Sequence, residues 1–225
     1  MTEGLPPTEG LLLIDKPVGM TSHDVVARVR RSLGGAKTGH AGTLDPFASG
    51  LLVVLVGKAT KLQDRVMQLP KRYETVARLG ALSSTGDPEG EITETGKLPP
   101  DPPSLPTGEI RQTPPVYSAI KIKGERAYRK ARRGESFEMP PRVVTVYRFV
   151  QLWREPSRAA YEIECSSGTY VRSLIADLGD AYCEELRRTA IGPFELAQAV
   201  PPPPREHRWE NAPLLSVERA AALLP

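Results

Sequence analysis

Cysteine is nearly missing: only Cys165 and Cys183 occur in 225 residues, with no Cys-x-x-Cys spacing and no paired histidine. No disulfide framework is needed, metal and redox readings are poor, and both thiols are expected to be buried, the first in a strand-like run and the second in a helical one. No run approaches the ~18 consecutive apolar residues of a membrane-spanning helix. The first ten residues are acidic and proline-bearing rather than basic then apolar, so no leader is read there, and a soluble cytoplasmic protein is expected. A glycine-rich phosphate cradle, metal-ligand spacing, a nicotinamide fingerprint and internal repeats are also missing. What remains is a chain long enough to bury a substantial core without covalent staples.

Positive charge is not abundant, since the formal net value is +3. It is concentrated, and clustering rather than the sum governs phosphate binding. Lys121, Lys123, Arg126, Arg129, Lys130, Arg132 and Arg133 occupy one short segment, against Glu125 as its acid. Tyr117 and Tyr128 stand among these cations and offer rings on which exposed bases can stack. On charge alone, a solvated basic helix face is an equal reading.

Leu11 to Ile14 predicts a short strand, broken by Asp15-Lys16-Pro17-Val18-Gly19. A helix should follow, capped by Thr21 or Ser22, with Val25, Val26, Val29 and Leu33 on one face and Gly34-Gly35 at its end. Leu51 to Val56 reads as a strand covered on both faces, and Lys58 to Leu69 as a second helix with Ala59, Leu62, Val66 and Leu69 inward. Strands are expected over 71–82, 143–153 and 160–165, a polar turn over 83–90, and a helix over 170–182 with Leu174, Ile175 and Leu178 inward. Pro99 to Pro106 can form no regular element, Pro201 to Pro204 should act as an extended spacer, and Leu214 to Leu224 predicts a terminal helix capped by Ser216. Runs of strands with scattered helices favour an α+β fold around a mixed, mainly antiparallel sheet.

The densest chemistry lies at 39–50, Gly-His-Ala-Gly-Thr-Leu-Asp-Pro-Phe-Ala-Ser-Gly, beside the apolar strand. Glycines permit unusual backbone there, and Pro46 fixes its own φ, so Asp45 is held in a stiff turn. An isolated Asp-Pro is ordinarily only a turn. This stretch, however, resembles the active-site loop of the TruB family of tRNA pseudouridine synthases, bacterial type. Four further segments resemble that family's motifs in order: Leu13-Ile14-Asp15-Lys16-Pro17-Val18-Gly19-Met20-Thr21-Ser22, Lys71-Arg72-Tyr73, Ser166-Ser167-Gly168-Thr169-Tyr170-Val171-Arg172-Ser173, and Leu186-Arg187-Arg188-Thr189.

The resemblance covers nearly the whole chain and implies the pseudouridine synthase fold. It also implies isomerisation of uridine 55 in the T-loop of tRNA, with no cofactor, no membrane and no protein partner, by a monomer. Asp45 is implied as the nucleophile, by addition to C6, displacement at C1′ or removal of the C2′ proton. Arg172 is expected against it, holding the carboxylate ionised. Tyr73 and Tyr170 with Leu186 would wall the uracil, and Tyr73 would help move the C5 proton. His40 would fill the space left by the flipped base. Lys16 and Pro17 would support the loop, and the basic insertion, about 113–142, would clamp the RNA backbone.

Three features depart from the family pattern. No Gly-Ala-His element precedes Leu186, a proline-rich stretch stands where a helix is common, and the usual C-terminal RNA-binding domain is absent after Pro225. The expected organisation is a catalytic domain over 1–200 and a proline spacer with a short helix over 201–225. Weaker tRNA affinity with a steeper salt dependence is the expected consequence. A tRNA-binding or folding module with weak or no catalysis is the alternative.

Overall fold

The apolar block at 51–56 builds a strand whose two faces both meet hydrophobic side chains. The computed structural model describes residues 9–225 except 119, 123, 207 and 210, and at 121, 126, 128 and 132 the backbone alone. In chain order the elements are β1 (Gly10–Lys16), α1 (Ser22–Ser32), β2 (Thr38–Ala41), β3 (Ser49–Val56), a 3-10 turn (Gly57–Leu62) running into α2 (Gln63–Gln68), β4 (Lys71–Leu79), β5 (Ala81–Ser83), β6 (Ile92–Glu94), β7 (Gly108–Gln112), β8 (Lys121–Ile122), β9 (Glu125–Arg126), α3 (Ala127–Arg132), β10 (Arg142–Arg154), β11 (Arg158–Cys165), α4 (Val171–Ala176), β12 (Ala181–Ile191), β13 (Phe194–Glu195) and α5 (Val217–Ala222). The class is α+β, mainly antiparallel, with one parallel pair between β3 and β12.

The chain divides into two compact units. The first runs to Arg72 and resumes at Arg187; the second is Tyr73–Leu186. In the first, β3 pairs antiparallel with β1 (Gly10↔Val56 to Lys16↔Gly50) and with β2 (Thr38↔Val56 to Ala41↔Val53), and parallel with β12 at Arg187↔Ser49 and Arg188↔Gly50. Strand periodicity then sorts the side chains. Leu11, Leu51, Val53 and Leu55 join Val66, Ile191, Phe194, Ala220 and Leu224 in one core cluster, while Leu12, Ile14, Leu52, Val54 and Val56 meet Val25 and Val29 of α1 in another. Each such fully buried side chain contributes roughly 1.5–3 kcal/mol.

α1 starts where its cap chemistry dictates. Asp24 N donates to Thr21 Oγ1 at 3.1 Å, and Thr21 N donates to Asp24 Oδ2 at 2.9 Å, a reciprocal capping box. It ends at Leu33, after which Gly34 and Gly35 take φ of +68° and +92°. The second helix, expected over 58–69, is a 3-10 turn followed by a short α-helix, because Thr60 Oγ1 bonds back to the Gly57 carbonyl and tightens the first turn. Ala59, Val66 and Leu69 are nevertheless buried on one face.

In the second unit the strand order is β12, β4, β11, β10, β7. β10 pairs antiparallel with β11 and, over Arg142↔Gln112 to Val146↔Gly108, with β7. The strand expected over 71–82 breaks at Gly80 (φ +76°), whose N–H bonds the Asp180 carbonyl instead of a strand neighbour. The helix expected over 170–182 is a larger correction. It stops at Ala176, and β12 takes up Ala181–Ile191, so Cys183 lies on a strand and not in a helix. Leu174, Ile175 and Leu178 are buried at helical spacing, but from Leu186 burial alternates, with Arg188 and Ala190 inward and Arg187 and Thr189 less so. Gly179 at φ +133° separates the two patterns. Both cysteines are buried and free. Among the described residues no helix is long and apolar enough to cross a membrane.

Candidate active site

Asp45 stands in the first unit, on the loop between β2 and β3. That loop is pinned at four points. Gly42 turns the chain with φ +92°. Leu44, almost fully buried, donates its N–H to Ser22 Oγ (2.9 Å) and accepts from the same hydroxyl (3.1 Å). The Pro46 carbonyl accepts from Gly19 N (2.8 Å) and, at 3.5 Å, from Lys16 Nζ. Lys16 has no solvent exposure, and its ammonium also donates to the carbonyls of exposed Pro17 (2.9 Å) and of Met20 (2.6 Å).

The fourth anchor is Arg188 on β12, 2% exposed, which donates through Nε to the Leu51 carbonyl (2.8 Å) and through Nη2 to the Gly42 carbonyl (3.0 Å). One guanidinium thus ties the start of the loop to the strand that follows it. Its backbone also demands glycine at 50, where φ is +99° and a Cβ would fall 2.3 Å from the Arg188 carbonyl oxygen. His40 lies on β2 opposite Val54, its ring edge-on to His23 at 5.5 Å between centroids. Arg187 pairs with Asp15 Oδ2 at 2.9 Å.

Tyr73, Tyr170, Arg172 and Leu186 belong to the second unit. Tyr73 on β4 and Leu186 on β12 are each about nine-tenths buried. Tyr170 caps α4, and Gln112 grips its backbone with both halves of one amide: Nε2 donates to the Tyr170 carbonyl (3.0 Å) and Oε1 accepts from Tyr170 N (2.8 Å). The Arg142 guanidinium lies over the Tyr170 ring, 4.9 Å from its centroid. Arg172, 4% exposed, donates through Nη1 to Asp87 Oδ2 (2.9 Å) and the Thr85 carbonyl (2.8 Å), and through Nη2 to the Tyr117 carbonyl (2.8 Å). Asp87 is equally buried, and its Oδ1 accepts from Thr85 Oγ1 (2.6 Å) and Glu89 N (3.1 Å). Ser173 Oγ donates to the Thr113 carbonyl at 3.1 Å, so Gln112, Thr113 and Tyr117 are stitched to Tyr170 and the first turn of α4.

The basic segment forms β8, β9 and α3. Lys123 lies outside the described residues, and at Lys121, Arg126 and Arg132 only the backbone is described. Arg129 is exposed. Lys130 pairs with Glu135 at 2.7 Å, and Arg133 with both Glu125 and Glu135 at 2.6 Å. Hydrogen bonds from Arg133 to Glu125, and from Lys130 then Arg133 to Glu135, hold these carboxyls below their ordinary range. Local acids therefore balance part of this cationic surface.

Sequence reasoning missed Asp87, Gln112, Arg142, Ser22 and Arg188. Asp87 sits in a second Asp-Pro that reads as a polar turn. Arg188 had a legible signal, since alternation from Leu186 places it on the buried side of β12.

Similarity to known proteins shows the family. Residues 30–171 fit the model of the TruB family pseudouridylate synthase N-terminal domain. The tRNA pseudouridine synthase B of Thermobifida fusca (strain YX) is 46% identical over 213 residues, covering 85% of this chain and 72% of that protein. That of Ectopseudomonas mendocina (strain ymp) is 43% identical over 203 residues, covering 85% and 66%. The chain thus spans about two thirds of the length of these curated relatives. A chain in the crystal structure of a Cbf5–Nop10–Gar1 complex superposes with a TM-score of 0.64 at 32% identity, over 85% of this chain and 54% of that one. By sequence and by fold, the chain belongs to the TruB family of pseudouridylate synthases.

Proposed function

We propose that this chain converts uridine 55 in the T-loop of tRNA into pseudouridine, with Asp45 as nucleophile. The N1–C1′ bond breaks, the uracil turns, C5 bonds to C1′, and the proton lost from C5 is balanced by one gained at N1, so no cofactor is consumed. The observation that carries the reading is the Asp45 loop, pinned by Ser22, Lys16 and Arg188 in a chain related to tRNA pseudouridine synthases B. Preorganisation of this kind is what a single carboxylate needs to attack without first ordering itself.

In this reading the Arg172 guanidinium, held by Asp87, Thr85 and Tyr117, keeps the Asp45 carboxylate ionised during the reaction. Tyr73 stacks on the uracil and assists proton transfer at C5; Tyr170 and Leu186 close the pocket. His40 occupies the place vacated by the flipped base. Lys121, Lys123, Arg126, Arg129, Lys130, Arg132 and Arg133 follow the RNA backbone of the T-arm. The catalytic domain spans 1–200, including the insertion at about 113–142, and acts as a cytoplasmic monomer. The higher identity to a tRNA pseudouridine synthase B, 46% against 32% for the chain from the Cbf5–Nop10–Gar1 complex, supports action on tRNA without guide RNA.

The test is tritium release from tRNA labelled at C5 of uridine. Asp45→Asn should abolish release while tRNA binding stays within about threefold; normal release from that variant overturns the assignment of the nucleophile. Tight binding by the parent chain with no turnover on tRNA or a T-arm hairpin would instead favour the binding module.

A further inference from the structure

Arg142 opens β10 opposite Gln112 of β7, and its placement is built with some care. Gln112 fixes the Tyr170 backbone, and the guanidinium covers the Tyr170 ring. Yet Nε and Nη2 of this cation are buried with no hydrogen-bond acceptor among the described residues. Arginine keeps its charge in proteins, and a buried charged donor without an acceptor is costly. Arg172, two residues from the same tyrosine, shows the contrast: its donors meet Asp87, Thr85 and Tyr117.

The two orphaned nitrogens are a chemically meaningful pair. The Nε–H and one Nη2–H bond leave the guanidinium in parallel from a single edge, the fork that matches two oxygens of an oxyanion. We propose that this fork is a binding site for a phosphodiester of the substrate RNA, seated on Tyr170 and Gln112. The inference rests on the reading above and deepens it, by naming a phosphate contact outside the basic segment. RNA is favoured over an acidic peptide because the fork lies against an aromatic ring, the pairing that single-stranded nucleic acid uses for base and backbone together. The edge is covered while the residue as a whole is partly exposed, so on this proposal docking of the phosphate uncovers it.

The experiment measures tRNA affinity as a function of salt in an Asp45→Asn background, with and without Arg142→Gln or Arg142→Lys. Loss of one phosphate contact should make Arg142→Gln roughly tenfold weaker and its log–log salt slope shallower by about 0.7–1. Arg142→Lys, which keeps the charge and loses the fork, should weaken binding by several-fold with the slope largely kept. An unchanged slope in the Gln variant means that Arg142 only braces Tyr170, and overturns the proposal. If the Gln variant melts out, Arg142→Lys decides: affinity equal to its parent is equally fatal. Failure of the Asp45→Asn parent itself to bind tRNA would sink the functional reading instead.

Discussion

Replacing Asp87 by asparagine removes the carboxylate buried against Arg172. Both residues are 4% exposed and their closest atoms are 2.9 Å apart. Taking away one partner of such a pair costs about 3–5 kcal/mol, because the other charge stays in a poorly polarisable interior. Arg172 cannot respond by releasing its proton. It keeps the Thr85 and Tyr117 carbonyls as acceptors, which puts the expected loss near the lower bound, about 3 kcal/mol. In a chain of this size each kcal/mol moves the melting temperature by about 2–4 °C, so Asp87→Asn should melt about 6–12 °C below the parent. Under the proposed function the same change lets Arg172 drift, and kcat for tritium release should fall roughly 10- to 100-fold. Circular-dichroism melts and single-turnover assays read the two effects separately. A melting temperature within about 2 °C of the parent would refute the argument.

Gly50→Ala should cost about 2–4 kcal/mol in urea unfolding, since the new Cβ meets the Arg188 backbone and nothing flexible can yield; Gly19→Ala, at φ +83° in open space, should lose only about 1 kcal/mol. Equal losses would show that positive φ, not crowding, sets the cost. Arg188→Met should cost about 1–3 kcal/mol, because the Leu51 and Gly42 carbonyls lose a buried donor, and amide exchange at Leu44 and Ala48 should accelerate about tenfold as the loop loses its tether. Unchanged exchange would remove Arg188 from the list of anchors. The Asp24 carboxyl is held below its ordinary range, first by the Thr21 hydroxyl and then by the Thr21 amide. A depressed folded-state value gives stability that is complete above the unfolded value of about 3.9 and vanishes as pH falls through the folded one. Solvent screening at this exposed site keeps the gain below about 1 kcal/mol. The gap in melting temperature between parent and Asp24→Asn should therefore close between about pH 5 and pH 2; a constant gap would rule the capping box out as its source.

What was legible in the sequence was mostly local chemistry. A cap at Thr21 or Ser22, Gly34-Gly35 as a stop and the block 51–56 as a doubly covered strand each follow from a few adjacent residues; the structure has the last two and settles the cap on Thr21. The segment 170–191 was misread because its first half satisfies helical spacing through Leu178, and only the alternation after Gly179 reveals β12. The partners of Arg172 escaped for another reason. Asp87 lies 85 positions away and its surroundings, Ser-Ser-Thr-Gly-Asp-Pro, look like any solvated turn. Arg142 was equally silent, since a cation after two prolines carries no sign that it will cover a ring 28 positions later. Pairings of high sequence separation are written only in the folded chain.

The division at Arg72/Tyr73 and Leu186/Arg187 carries a consequence for synthesis. Residues 73–186 emerge from the ribosome as one uninterrupted stretch and can mature as soon as they clear the exit tunnel. The other body is assembled from the segments on either side of that stretch: Leu11, Leu51 and Val53 must wait for Ile191, Phe194, Ala220 and Leu224 before their shared interior closes. Until those residues have been made, the loop bearing Asp45 therefore hangs on a half-finished scaffold.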